Sequence, residues 1–143
     1  MQPDEARTRF AAAQVARLAT AGADGAPHVV AICFAVDGNR IVTAIDHKPK
    51  RTTRLRRLDN IAVNPRVCLL VDHYDADDWS ALWWARADGT ARVLEPGAPG
   101  TSAAITALAG RYPQYVADRP EGPVIEVAVT RWTGWSASST PGR

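Results

Sequence analysis

The first stretch of the chain has the spacing of an amphipathic helix. Pro3 and the two acidic residues that follow it suit a first helical turn. The residues that then recur at helical spacing are Phe10, Gln14, Val15 and Leu18. This pattern predicts a helix over residues 3–17.

Short runs of β-type residues separated by turn dipeptides follow this helix. The first predicted strands are residues 18–21, 27–36 and 40–45, with turns at Asp24-Gly25 and Asp37-Gly38-Asn39. The next predicted strands are residues 67–72, 81–87 and 90–94, and the last two are joined by a turn at Asp88-Gly89. Residues 101–112 suit a helix that Thr101 or Ser102 caps, and residues 123–129 and 132–137 supply one or two closing strands.

Six to eight short strands without alternating long helices indicate a mainly β protein. We therefore expect a closed or nearly closed antiparallel barrel with a few helices. The length of 143 residues and the absence of any repeat favour one domain over residues 1–143, with residues 138–143 as a flexible tail.

The longest uninterrupted apolar run, residues 29–36, is far shorter than the roughly 20 residues of a membrane span, and the N terminus carries acids where a signal peptide would be apolar. Cys33 and Cys68 lie far apart within apolar stretches, which is typical of buried thiols in a reducing compartment. These features predict a cytoplasmic protein.

Positive charge is concentrated in one short segment. The net charge is only +2, but six basic residues fall within residues 48–57, and the rest of the chain carries 11 basic and 15 acidic side chains. The segment leads from the end of a predicted strand into a predicted helix over residues 52–60, which Thr52 or Thr53 could cap. Basic side chains beside a helix N terminus suit a phosphate, although a basic helix face can also be merely solvated.

Other clusters of polar residues carry less chemistry. The acidic stretch over residues 72–78 lacks the glycine and terminal glutamate of a calcium loop and matches no zinc motif, so we expect no metal there. The basic segment contains no interleaved aromatic residues, which argues against nucleic-acid binding. No hydrolase motif is present, and the sequence identifies no catalytic residue. The lack of a recognisable catalytic motif is consistent with a redox protein that uses a cofactor.

The ordered motifs over residues 7–137 resemble those of a known family. They are LATA, DGAPH, TAIDHKPKR, NPRVCLLVD, WSALWWARADGTARVLE and TGW. In this order they resemble the pyridoxamine-phosphate-oxidase-like split β-barrel proteins, and more narrowly their actinobacterial branch of probable F420-dependent flavin/deazaflavin oxidoreductases.

The resemblance implies a homodimer with two cofactor sites at the subunit interface, each built from both chains. The residues that it implies as cofactor ligands are His28, Thr43, Lys48, Lys50, Arg51 and Trp79. Within this set the basic turn and Thr43 would hold the phosphate and acidic tail, His28 would lie near the ring system, and Trp79 would form a pocket wall. His28 also shares a face with Val30 and Ile32, so a core histidine is the alternative.

The implied activity is hydride transfer from reduced F420 to a small conjugated or unsaturated substrate. FMN is the alternative cofactor, because the same fold accepts it. Six basic residues in so short a segment suit the phosphodiester and glutamate carboxylates of F420 better than the single phosphate of FMN. A non-catalytic flavin or haem carrier is the second class of function.

Overall fold

A computed structural model describes residues 1–45 and 55–138. The helices are α1 (Pro3–Ala12), α2 (Arg56–Val63), α3 (Thr101–Ala109) and α4 (Pro113–Ala117). The strands are β1 (Ala16–Ala21), β2 (Pro27–Ile32), β3 (Ala35–Asp37), β4 (Arg40–Ala44), β5 (Arg66–His73), β6 (Trp83–Leu94) and β7 (Val124–Ser136). The mainly β class predicted from the sequence is confirmed. None of the helices in these two ranges is long and apolar enough to cross a bilayer.

All seven strands belong to one antiparallel sheet in the order β2-β1-β5-β6-β7-β4-β3. Strands β2 and β3 lie at opposite edges of this sheet, yet only Cys33 and Phe34 separate them in sequence. Because each residue spans at most about 3.6 Å, this short link brings the two edges close together. The sheet therefore curls into a barrel that hydrogen bonds do not close.

Three side chains, one from β4 and two from the connection between α3 and α4, hold the link between the two edges. The hydroxyl of Thr43 donates to the carbonyl of Cys33 at 2.7 Å. The hydroxyl of Tyr112 accepts from the Phe34 amide at 3.0 Å, and the guanidinium of Arg111 donates to the Phe34 carbonyl at 2.5 Å. The backbone groups at this bend thus have side-chain partners where a continuous strand would have ladder bonds.

Two hydrophobic cores lie on opposite faces of the sheet. Helices α1 and α2 cover the inner face, where the fully buried ring of Phe10 packs edge-on against Phe34 and Trp132, with centroids 5.0 and 5.4 Å away. Helix α3 covers the other face near β4 and the start of β7 with Ile105 and Leu108. The remaining part of that second face, over β5 and β6, is called the outer face below.

The N-terminal helix is shorter than the sequence predicts. Helix α1 ends at Ala12, and β1 begins at Ala16, so the predicted extent to residue 17 is wrong. The apolar positions at helical spacing also fit a strand, because alternate residues of β1, namely Ala16, Leu18 and Thr20, are buried. Tertiary pairing with β2 and β5 decides the outcome.

The predicted turn at Asp88-Gly89 is also wrong. Strand β6 runs straight through it, and the irregularity is a β-bulge opposite β7. A Cβ atom on Gly89 would lie 2.3 Å from the Ala128 carbonyl oxygen. Glycine is therefore required here for a close approach of two backbones and not for a turn. Strand β7 is one long strand, which agrees with the lower of the two predicted numbers.

The predicted helix caps differ as well. Helix α3 has Gly100, with a positive φ of 92°, at its N-cap, and the Thr101 hydroxyl donates to the Glu95 carbonyl instead of capping. Helix α2 begins at Arg56, with Leu55 at the N-cap, so the predicted start is wrong. The predicted caps, Thr52 and Thr53, lie outside the described residues. Residues 139–143, most of the predicted tail, lie outside the described residues.

Candidate functional site

The basic segment is framed by two elements whose ends are well anchored. Lys48, Lys50 and Arg51 lie outside the described residues. Before them, the chain leaves β4 at Ile45, whose amide donates to the Pro123 carbonyl at 3.0 Å. After them, α2 packs Leu58 and Ile61 into the inner core. The chain thus leaves β4 and enters α2 at anchored residues on either side of the undescribed positions.

Thr43 lies next to the last residue of β4 and is 3% exposed. Its hydroxyl has one proton, which it donates to the Cys33 carbonyl at the link between β2 and β3. This hydrogen bond gives Thr43 a structural role at the bend. Its predicted role as a phosphate ligand stays a prediction.

His28 lies on the inner face of β2, directly opposite Thr20 of β1. The ring is half-buried, and its Nδ1 atom is buried without a hydrogen-bond partner among the described residues. A buried polar atom left without a partner is costly, and such atoms often mark a place for a ligand or water. Among the described residues, a core histidine would leave this atom without a partner, and the role of His28 as a cofactor ligand stays a prediction.

A buried amide links α2 to the strand opposite His28. Asn60 is 7% exposed, and its Nδ2 atom donates to the Thr20 hydroxyl at 3.0 Å. The sequence pattern indicates only a basic face for this helix and does not reveal Asn60 or Thr20 as residues of the site. The available signal was a polar residue between Leu58 and Ile61, on the side of the helix that must be buried.

Trp79 lies at the other end of the sheet. It begins the short 3₁₀ turn Trp79–Ala81 between β5 and β6, and it is 67% exposed. Val29, next to His28 in β2, pairs with Ala19 of β1, which in turn pairs with Cys68 of β5. The start of β6, which follows the Trp79 turn, pairs with β5 at His73. Five residues of strand separate these levels, or about 17 Å. Within one chain the fold does not bring Trp79 and His28 together.

The acidic loop near Trp79 uses its carboxylates to hold its own backbone. One oxygen of Asp75 accepts from the amides of Asp77 and Asp78, and Asp78 accepts from the amide and hydroxyl of Ser80. Within the described ranges, no three potential metal ligands cluster.

The outer face has a charge at each end and apolar residues between them. At the end near α2, Arg40 and Arg92 both bind one oxygen of Glu126, at 2.7 and 2.8 Å, and Arg66 lies beside them in the ladder. The opposite end carries Asp72 and the acidic loop. The exposed apolar residues between and around these ends are Val29, Leu70 and Trp135.

Cys68 lies on the outer face, and its thiol is unsuited to nucleophilic chemistry. Burial and, secondarily, the neighbouring Asp88 carboxylate raise its pKa to about 11. The reactive form of a cysteine is the thiolate, which is scarce at neutral pH when the pKa is so high. The described site thus contains no activated nucleophile at this position.

Comparison with known proteins settles the family. The family model described as pyridoxamine 5'-phosphate oxidase matches residues 2–136. The chain belongs to the pyridoxamine 5'-phosphate oxidase family. The resemblance seen in the ordered sequence motifs is therefore confirmed, and membership of this family supports an oxidoreductase with a flavin-type cofactor.

One curated relative has a named activity. The chain is 36% identical over 81 residues to a 5a,11a-dehydrotetracycline/5a,11a-dehydrooxytetracycline reductase from Streptomyces rimosus. This match covers 57% of the chain and 56% of the relative, so it spans about half the length of either protein.

Solved structures share the fold across nearly the whole chain. A FAD-binding protein from Mesorhizobium loti has a TM-score of 0.70 and 18% identity, with 94% of each chain covered. The heme storage protein HutZ from Vibrio cholerae has a TM-score of 0.68 and 18% identity, with 95% of each chain covered. These likenesses establish the split-barrel architecture of the family.

Proposed function

We propose that this protein is an F420-dependent reductase that transfers a hydride from the reduced deazaflavin to a conjugated or unsaturated small molecule. The proposal rests on the concentration of positive charge between β4 and α2 in the sequence, and on the unpartnered Nδ1 of His28, whose cross-strand partner Thr20 accepts a hydrogen bond from Asn60 of α2. A relative named as a reductase of dehydrotetracyclines supports the reaction type and the substrate class.

The residues proposed for this site fit an anionic cofactor with a polar ring. Lys48, Lys50 and Arg51 supply charge-assisted hydrogen bonds to a phosphodiester and to carboxylates. The buried Nδ1 of His28 offers one hydrogen bond to a ring atom, which would relieve its lack of a partner. F420, when bound, supplies the hydride, and the protein supplies binding, orientation and exclusion of water.

Lys50→Ala is expected to weaken F420 binding by about 1.5–3 kcal/mol, because it removes one charge-assisted hydrogen bond. Arg56→Ala is the matched control, since Arg56 is exposed at the start of α2, and it should have a smaller effect. Fluorescence titration of the three proteins at low and high salt provides the measurement, with circular dichroism to check folding. Affinity of the wild type should fall as salt rises, because charges are screened over about 10 Å.

Equal affinities of wild type, Lys50→Ala and Arg56→Ala would refute the assignment of the basic segment. Titrations with FMN and haem under the same conditions test the alternatives. The likeness to FAD-binding and heme storage proteins makes these the relevant competitors. Tighter binding of FMN than of F420 would move the assignment to a flavin oxidoreductase, and binding of haem alone would indicate a non-catalytic carrier.

We also propose that the protein is a homodimer in which the outer faces of two chains meet. The charged ends of this face are opposite in sign, and the Arg66 and Asp72 positions are six residues of β5 apart, or about 20 Å. A two-fold axis between them would set the basic end of each copy against the acidic end of the other. The same packing would bring the partner subunit's Trp79 toward the end of the sheet that carries His28.

Mixing two defective variants tests this shared site. Lys50→Ala and Trp79→Ala should each impair F420-dependent reduction of a dehydrotetracycline. In an equal, co-refolded mixture, half of the dimers contain one chain of each variant, and each of these dimers has one intact site. Activity should therefore return in about one site in four. Light scattering provides the mass as the control. No recovery by a folded dimeric mixture would place both residues in the same chain's site, and a monomeric mass would refute the dimer.

A further inference from the structure

Asn60 is a buried polar residue on a helix whose other inward residues are apolar. It is 7% exposed, next to Leu58 and Ile61, which are 5% and 4% exposed. Its Nδ2 atom donates to the Thr20 hydroxyl, and its backbone carbonyl accepts from the Asn64 amide at 2.7 Å, where α2 ends. Burying an amide is costly unless its hydrogen bonds are made, so apolar packing alone does not explain asparagine at this position.

The strand beneath Asn60 is shaped to accept this side chain. Gly22 follows the end of β1, and a Cβ atom at this position would lie 2.8 Å from the Asn60 Oδ1 atom. Its φ is not in the left-handed region, so the close approach, and not backbone conformation, accounts for the glycine. Asn60 is thus bounded on one side by Thr20 and on another by Gly22.

We infer that Asn60 is a positioning residue of the cofactor site, an inference that rests on the proposed function. Its hydrogen bond fixes both the axial position and the rotation of α2 relative to β1. The apolar contacts of Leu58 and Ile61 are less directional than a hydrogen bond, so they fix the helix less closely. The acceptor, Thr20, is the cross-strand partner of His28, so this hydrogen bond ties α2 to the strand pair that carries the unpartnered Nδ1 of His28.

A matched pair of variants at Thr20 separates the hydrogen bond from packing. Thr20→Val keeps the shape of the side chain and removes the acceptor, whereas Thr20→Ser keeps the hydroxyl and removes a methyl group. Thr20→Val should raise the dissociation constants of F420 and FMN about 3- to 10-fold, as expected for one lost hydrogen bond, and Thr20→Ser should stay within about 2-fold of the wild type. If Thr20 acted only through packing, Thr20→Ser would raise the dissociation constants more than Thr20→Val.

Hydrogen exchange of the full-length protein gives a readout that needs no cofactor. In Thr20→Val the amides of α2 should exchange about 3- to 10-fold faster, while those of β6 and β7 keep wild-type rates, and Thr20→Ser should restore slow exchange. Asn60→Leu should match Thr20→Val, and the double variant should add nothing further, because both remove the same bond.

The two proposals fail in different ways. If the folded wild type binds neither F420 nor FMN, the proposed function is wrong. Selective fast exchange in α2 of Thr20→Val would then show that the hydrogen bond anchors the helix but positions no cofactor site. If the wild type binds and the Thr20→Val and Thr20→Ser proteins have equal affinities, the positioning role is wrong and the proposed function stands. Unchanged α2 exchange in Thr20→Val also overturns the inference.

Discussion

Phe10→Ala should lower the free energy of unfolding by about 3–5 kcal/mol, the usual range for truncating a fully buried aromatic residue. The Phe10 ring is 0% exposed and contacts the rings of Phe34 and Trp132 edge-on. The cavity cannot easily collapse, because Phe34 is held at the bend by hydrogen bonds to its backbone. Urea denaturation followed by tryptophan fluorescence and circular dichroism measures the change.

Val116→Ala is the control for this experiment. Val116 lies on α4 and is 72% exposed, so its truncation should change stability by less than about 0.5 kcal/mol. A loss below about 1 kcal/mol for Phe10→Ala would show that α1 does not contribute to the inner core as described.

Arg111→Ala is expected to lower stability by about 3 kcal/mol, because it removes two charge-assisted hydrogen bonds and two cation–π contacts. Its guanidinium donates to the carbonyls of Phe34 and Ala13, at 2.5 and 2.8 Å. It also lies over the rings of Phe34 and Tyr112, with centroids 5.0 and 5.3 Å away. One side chain after α3 therefore joins the segment before β1 to the link between the sheet edges.

Arg111→Lys distinguishes the guanidinium geometry from its charge. Lysine keeps the charge but lacks the planar fork, so it should recover less than half of the lost stability. Arg119→Ala is the exposed control, because Arg119 makes one side-chain hydrogen bond, to Thr106, and its loss should cost less than about 1 kcal/mol. Full rescue by lysine would mean that charge alone accounts for the effect.

These variants concern the bend between β2 and β3, which sequence patterns do not reveal. Residues 27–36 are mostly apolar and rich in residues that favour strands, and the prediction treated them as one long strand. The break occurs because Thr43, Arg111 and Tyr112 supply hydrogen bonds to Cys33 and Phe34. Two of these three residues are more than 70 positions away in sequence, so local propensity carries no information about them.

In the candidate site, too, some features could be predicted from the sequence and others depend on the tertiary structure. Motif order pointed to His28, to the basic segment and to the family, because these depend on residue type and on short spacings. The unpartnered Nδ1 of His28 and the hydrogen bond between Asn60 and Thr20 depend on the pairing of β1 with β2 and on the packing of α2. The separation of Trp79 from His28 depends on the register of β5 and β6.

The amino-acid sequence by itself determined the fold class and the concentration of positive charge, because periodicity, turn residues and composition are local properties of the chain. The order of its motifs also showed the resemblance to the family. Tertiary structure alone decided that β6 runs through Asp88 and Gly89 and that the sheet edges meet at Cys33 and Phe34. It also decided that Asn60 reaches Thr20 across the end of the barrel. Each of these features depends on contacts between residues distant in sequence, whose free energy outweighs local preference.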